Sequence, residues 1–265
     1  MGYIEKEEYI RLLNIASNVG PLFLIGSVAS ALLNNIALGY ILLAGSYISC
    51  IIIGIITKKK RTFKNISSLK SKNDCNPNLG IAIKNSVENS ITTVLNIGGF
   101  IIIFSVIISL IKSSSLIAIL INNLEYFFKI PHDTLYSVLL GSIEITNGCS
   151  LLASLSISMP LKLSLISFLC SFSGIAIIAQ VSSFVGSTGI KLLRYIILKF
   201  IQGIFSFIIT YILMMIIPSS VYTSNIYIYS QHSTNYYLIP VIVMLVLFIL
   251  LQIFNIFHTR NSASL

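Results

Sequence analysis

Apolar runs of about 20 residues, the length a helix needs to cross a bilayer, recur along almost the whole of this chain. Ala37–Ile56, Tyr195–Ile217 and Tyr237–Phe257 read as ordinary spans. Tyr9–Leu33, Leu135–Met159 and Leu161–Ile190 are equally apolar but broken by polar or glycine-bearing clusters, and Ile81–Ile111 begins amphipathically. Backbone surrounded by lipid must satisfy its own hydrogen bonds, so spans of this kind are helices. The expected class is an all-α polytopic membrane protein. Composition agrees: mean hydropathy is +0.93 and 9% of residues are charged, where a soluble domain carries about 25%.

The formal charge of +9 invites a nucleic-acid reading, but its distribution argues for topology instead. Lys58, Lys59, Lys60, Arg61, Lys64, Lys70 and Lys72 fall in one loop, 57–80, without aromatic interleaving. Such a cluster marks a cytoplasmic loop and can also meet anionic lipid headgroups; no nucleic acid is expected as a partner. Cys50, Cys75, Cys149 and Cys170 are scattered, with neither CxxC nor a nearby His. A disulfide framework or zinc site is therefore not expected. The acidic start, Glu5 to Glu8 with one lysine, lacks the basic region of a cleaved signal.

Basic residues place 57–80, Lys191/Arg194 and Arg260 in the cytoplasm. Residues 113–134, mixed in charge and holding Ile130-Pro131, and 219–236 then lie outside. Two apolar segments separate Thr134 from Lys191 where the parity of crossings allows one. One segment must re-enter. The hairpin 135–158 is the better choice, leaving 161–190 as a broken helix that crosses once. That gives about six transmembrane helices, two of them broken, plus one re-entrant hairpin, with both termini cytoplasmic. Ser17-Asn18-Val19-Gly20 before Pro21 and Ser171-Phe172-Ser173-Gly174 interrupt two helices of opposite orientation, the pattern of an inverted repeat.

The hairpin tip, Gly141 to Gly148, places Glu144, Thr146 and Asn147 at membrane depth. A buried acid there is costly and persists mainly beside a cavity or pathway. Glu144 could bind substrate, a coupling proton or Na⁺; alternatively it caps a half-helix, favoured by the dipole. Thr146 and Asn147 orient substrate or satisfy broken backbone. Ser171, Ser173 and Gly174 open a half-helix whose free N–H groups could hold a carboxylate, or they allow close helix packing. Gln180 follows as an amide near that break, and Asn18 and Gly20 are the first-repeat equivalents. Lys84 and Glu88, at i, i+4, read as a solvated interfacial face. His132, His232 and His258 lie in loops or the tail, and no nucleophile–base pair is present, so no enzyme is expected.

Several runs resemble the sporulation integral membrane protein family YlbJ. These are Tyr9–Asn14, Gly20–Val28, Leu38–Leu43, Ala82–Val87, Gly98–Ile107, Glu144–Cys149, Phe172-Ser173-Gly174 and Ala179-Gln180-Val181. They follow in order over nearly the whole chain, and Glu144-Ile145-Thr146-Asn147-Gly148 is the most specific. The resemblance implies a nucleoside-recognition "gate" domain, related to the core of concentrative nucleoside transporters. In that organisation 1–56 is the remainder of a first repeat, and 81–218 is the second repeat with hairpin 135–158 and broken helix 161–190. Residues 219–265 form an outer loop, last helix and tail.

It also implies a place in the mother-cell-derived membrane around the forespore, and transport of a small anionic metabolite, dipicolinate. No cofactor is expected beyond the coupling H⁺ or Na⁺ that Glu144 could bind. Family members begin with further membrane segments bearing a Ser-Gly-x-Pro-Ser-Gly motif. A second polypeptide that supplies that part, or a homo-oligomer, is the expected partner. The alternatives are a non-transporting scaffold in spore formation and a truncated remnant.

Overall fold

The helices follow the apolar runs closely. In the computed structural model, which describes residues 6–58, 79–185 and 192–217, α1 (Lys6–Ala16) is followed by a π-helix (Phe23–Leu32) and α2 (Ile36–Ile56). Next come α3 (Leu79–Ser113), α4 (Ser115–Phe128), α5 (Thr134–Ile143) and α6 (Ile145–Ser154), then α7 (Met159–Phe172), α8 (Gly174–Val185) and α9 (Leu193–Ile216). Among the described residues the protein is all-helical, and by length and composition Ile36–Ile56, Leu79–Ser113, the paired Met159–Val185 and Leu193–Ile216 can cross a membrane. The protein is thus an all-α polytopic membrane protein. The span Tyr237–Phe257, most of the basic loop and the outer loop lie outside the described residues.

The first broken segment divides between Ala16, where α1 ends, and Pro21, where helix resumes. Proline lacks the N–H a helix interior needs but suits a first turn. Beyond it the backbone widens into π geometry, with Leu33 N–H reaching Val28 O at 3.0 Å. Asn34 takes positive φ (52°), and Asn35 caps α2 by accepting from Ala37 N at 2.9 Å. The chain then returns antiparallel along α2. A side chain at Gly39 would lie 2.9 Å from Ala29 Cβ and 3.0 Å from Ile25 Cα, so glycine is what permits this approach.

The core is the packing of α2, α7 and α9, with the π-helix and α6 against them. Leu24, Val28, Leu38, Leu42, Leu152, Leu163, Ile166 and Leu169 are buried there. A polar seam runs through it: Ser167 Oγ meets Ser206 Oγ at 2.6 Å, and Thr210 Oγ1 donates to Ser167 Oγ at 2.7 Å. Gly45 faces Thr210 and Ser167 and has no room for a Cβ. Small residues and shared hydroxyls hold helices together where lipid is as apolar as any side chain. By contrast α3 is largely exposed, with Ile108 as its buried residue. At 35 residues that helix is about 52 Å long at 1.5 Å per residue. The Lys84–Glu88 pair forms, at 3.7 Å on the exposed first half.

Candidate functional site

α5 and α6 are separated by one extended residue, Glu144 (φ −140°, ψ 121°). The two helices fold back on each other through Gly141 and Gly148: a Cβ on Gly141 would lie 2.8 Å from Gly148 Cα. Each has ten residues, about 15 Å of helix, half of what a bilayer crossing requires.

The Glu144 side chain turns back over the start of α6. Oε1 accepts from Thr146 N at 2.9 Å, while Oε2 accepts from Asn147 N at 2.9 Å, from Asn147 Nδ2 at 2.9 Å and from the Thr146 hydroxyl. Glu144 is 8% exposed, and all four donors come from the next three residues. This is the capping arrangement, an anion at the positive end of a helix. Thr146 and Asn147 serve the carboxylate rather than standing apart from it, although Thr146 itself is exposed and Asn147 half-buried.

The second break comes against the first. Ser173, between α7 and α8, and Gly174, the first residue of α8, both have positive φ (73° and 71°). This conformation costs little only for Gly174. The Gly174 Cα faces the end of α5: a Cβ there would sit 3.3 Å from Gly141 O, 3.4 Å from Ser142 O and 3.3 Å from Ile143 O. Those are the carbonyls a helix C-terminus leaves without intrahelical donors. Ser173 Oγ is buried with no hydrogen-bond partner, and such orphans are rare enough to need a cause. Ser171 instead donates to Ser46 Oγ on α2 at 3.2 Å. Gln180 is half-buried on α8. Glu144, Ser173 and Gly174 therefore belong to one neighbourhood.

Asn18 and Gly20 lie in a different one. Gly20 is exposed, and its carbonyl accepts from Phe23 N at 3.1 Å. Asn18 Oδ1 accepts from Lys199 Nζ at 3.0 Å and from Gln202 Nε2 at 2.8 Å, while its Nδ2 donates to Ile15 O at 2.9 Å and contacts Cys50 Sγ at 2.9 Å. Lys199, 0% exposed, also donates to Ser17 O at 2.9 Å, the residue just past α1. Tyr195–Ile217 reads as an ordinary span, yet α9 turns a lysine and a glutamine inward at this level. Periodicity could have found them: Tyr195, Lys199, Gln202, Ser206 and Thr210 recur every three or four residues and share one buried face.

A further acid is buried where a mixed-charge outer segment was expected. Glu125 of α4 accepts from Asp133 N at 2.9 Å and from Leu135 N at 2.8 Å, capping α5 from outside its own helix. Its only sequence signal is a position eight residues before Asp133.

The chain is 26% identical over 228 residues to the sporulation integral membrane protein YlbJ of Bacillus subtilis (strain 168). The match covers 77% of this chain and 55% of that protein, so the chain spans about half the length of the curated relative it matches. No family model and no solved structure matches. The similarity supports the YlbJ-like assignment carried by the Glu-Ile-Thr-Asn-Gly and Phe-Ser-Gly blocks.

Proposed function

We propose that the chain is a sporulation-associated integral membrane protein acting as part of a transporter for a small anionic metabolite, with dipicolinate as the substrate the resemblance implies. The observation that carries this reading is the meeting of two discontinuous helices. Gly174 lies against the last carbonyls of α5, and the buried Ser173 hydroxyl beside it lacks a partner. Facing half-helix ends offer N–H groups to a carboxylate and carbonyls to a small cation, which is how discontinuous helices bind substrate and coupling ion. The α5–α6 hairpin then re-enters the bilayer, and Glu144 fixes its tip. The remaining part of the site comes from a further polypeptide segment or a second copy.

The test is Glu144→Gln in the sporulating organism. Glutamine can still accept backbone N–H groups, so the tip keeps a cap while its charge is lost. Dipicolinate accumulation should fail while the protein still reaches the membrane; normal spore dipicolinate would remove Glu144 from the site. A scaffold role is favoured by one observation, the saturation of the Glu144 carboxylate by its own helix. That reading has Glu144→Gln tolerated, and Gly39 or Gly45 substitutions harmful. Gly26, another small residue on these faces, has only an ordinary contact with Leu22 at 3.6 Å and does not report on packing.

A further inference from the structure

The Lys199 ammonium is ringed by neutral oxygens: Ser17 O at 2.9 Å, Asn18 Oδ1 at 3.0 Å and Gln202 Oε1 at 3.4 Å. Among the described residues no carboxylate lies within ion-pair distance of it. A buried charge without a counter-ion is expensive, and the carbonyl end of α1 offsets it only in part. Three oxygens at a helix break also form the kind of pocket that takes a small monovalent cation. Here the cation is tethered, arriving on a side chain 182 residues from Ser17.

A polar stripe joins this site to the charged end of the bundle. Glu7, Arg11 and Asn14 follow at i, i+4 and i+7 on α1, and Asn18 takes the next such place just past the helix. At the open end Glu7 pairs with Arg194 at 3.2 Å and Glu8 with Arg11 at 2.7 Å. Midway, Asn14 is 1% exposed and neither its Nδ2 nor its Oδ1 has a partner. A buried amide in that condition is a place for water. Lys199 is five residues beyond Arg194, about 8 Å along α9.

We propose that Lys199 is a proton-exchange site that holds the α1 break closed as an ammonium and releases it as an amine. The proton passes from Nζ to water beside Asn14 and leaves along the α1 stripe. The neutral amine keeps two N–H donors but no charge, so its bonds to Ser17 O and Asn18 Oδ1 weaken, loosening the π-helical segment from α1. This deepens the transporter reading by naming where the coupling proton binds, and it rests on that reading for what the movement serves. Among the described residues, the titratable groups facing Lys199 are Cys50 from α2, with Tyr47 one turn before it, and Tyr195 from its own helix, with Glu7, Glu8, Arg11 and Arg194 at the mouth. α7 runs antiparallel to α9, Phe172 meeting Phe200 and Ser167 meeting Ser206. Its Lys162 therefore lies toward the opposite end.

Cys50, in contact with Asn18, reports on the break. Maleimide modification of the full chain in native membranes would be followed on the Cys50 peptide by mass spectrometry from about pH 6 to about pH 10, the range a lysine can cover. Rates are normalised to the denatured chain at the same pH, which removes the titration of an unperturbed thiol. Lys199→Arg stays charged throughout and should stay slow; Lys199→Met should be fast throughout, by about tenfold or more for a local opening. The wild type should follow the arginine variant at low pH and the methionine variant at high pH. Coincidence with either variant across the whole range overturns the proposal. If the arginine variant fails to accumulate, a flat normalised wild-type profile does the same. The readout does not use transport, so it is independent of the dipicolinate result for Glu144→Gln.

Discussion

Two helix breaks in this protein are closed by buried charges, and they are closed in opposite ways. At Glu144 an acid sits at the start of α6 and takes all its donors from Thr146 and Asn147. At Ser17–Gly20 a lysine from α9 reaches the end of α1 across 182 residues. Each sign suits its place, an anion at a positive helix end and a cation at a negative one. Glu125 at the start of α5 repeats the rule from a neighbouring helix. The first break is a local motif and stays formed wherever α6 forms. The second exists only when α1, α2 and α9 are already together, so it is the one that a change in packing or protonation can open.

That contrast can be tested by substitution. Lys199→Ala should have the largest effect on stability, about 2–5 kcal/mol as for large-to-small changes at buried positions, read as a lowered unfolding temperature of the solubilised chain. An effect as small as that of a surface change would make the α1 break a loose junction. Gly148→Ala should follow at about 1–3 kcal/mol, because its Cβ would meet Gly141 backbone N at 2.9 Å and Leu169 Cδ1 at 2.8 Å. Gly20→Ala is its partner experiment at the other break: nothing lies within 4 Å of a Cβ there, and stability should be unchanged. Equal costs for the two glycines would end the distinction between a tightly folded hairpin and an open junction. Glu144→Gln keeps a capping oxygen and loses only the charge, so it should cost least of the destabilising changes, about 0.3–1 kcal/mol, the usual worth of an anion at a helix N-terminus. A loss several times larger would show that the carboxylate anchors more than its own helix.

The apolar runs made the helices legible, and their boundaries came close: Ala37–Ile56 became Ile36–Ile56, and Ile81–Ile111 became Leu79–Ser113. The breaks were legible as well, since glycine, proline and serine clusters act on the backbone within a few residues. The capping of α6 by Glu144 stood in the sequence as an open alternative because an N-cap is a local contact. Glu125 was harder, its acceptor role being set by how α4 meets α5. Lys199 and Gln202 were hidden inside an apolar run, where counting hydropathy smooths over two polar residues that share a face.

What the chain's order of residues settles is the membrane class, the helices and where they break, because hydropathy and backbone chemistry act over short distances. Which break meets which could come only from packing. Gly174 lies against Gly141, Ser142 and Ile143 because α8 meets the end of α5. Asn18 went to Lys199 rather than to the Glu144 tip because α1 lies along α9. A buried charge has to find partners within a few ångströms, and in a bundle of helices those partners are chosen by neighbours in space.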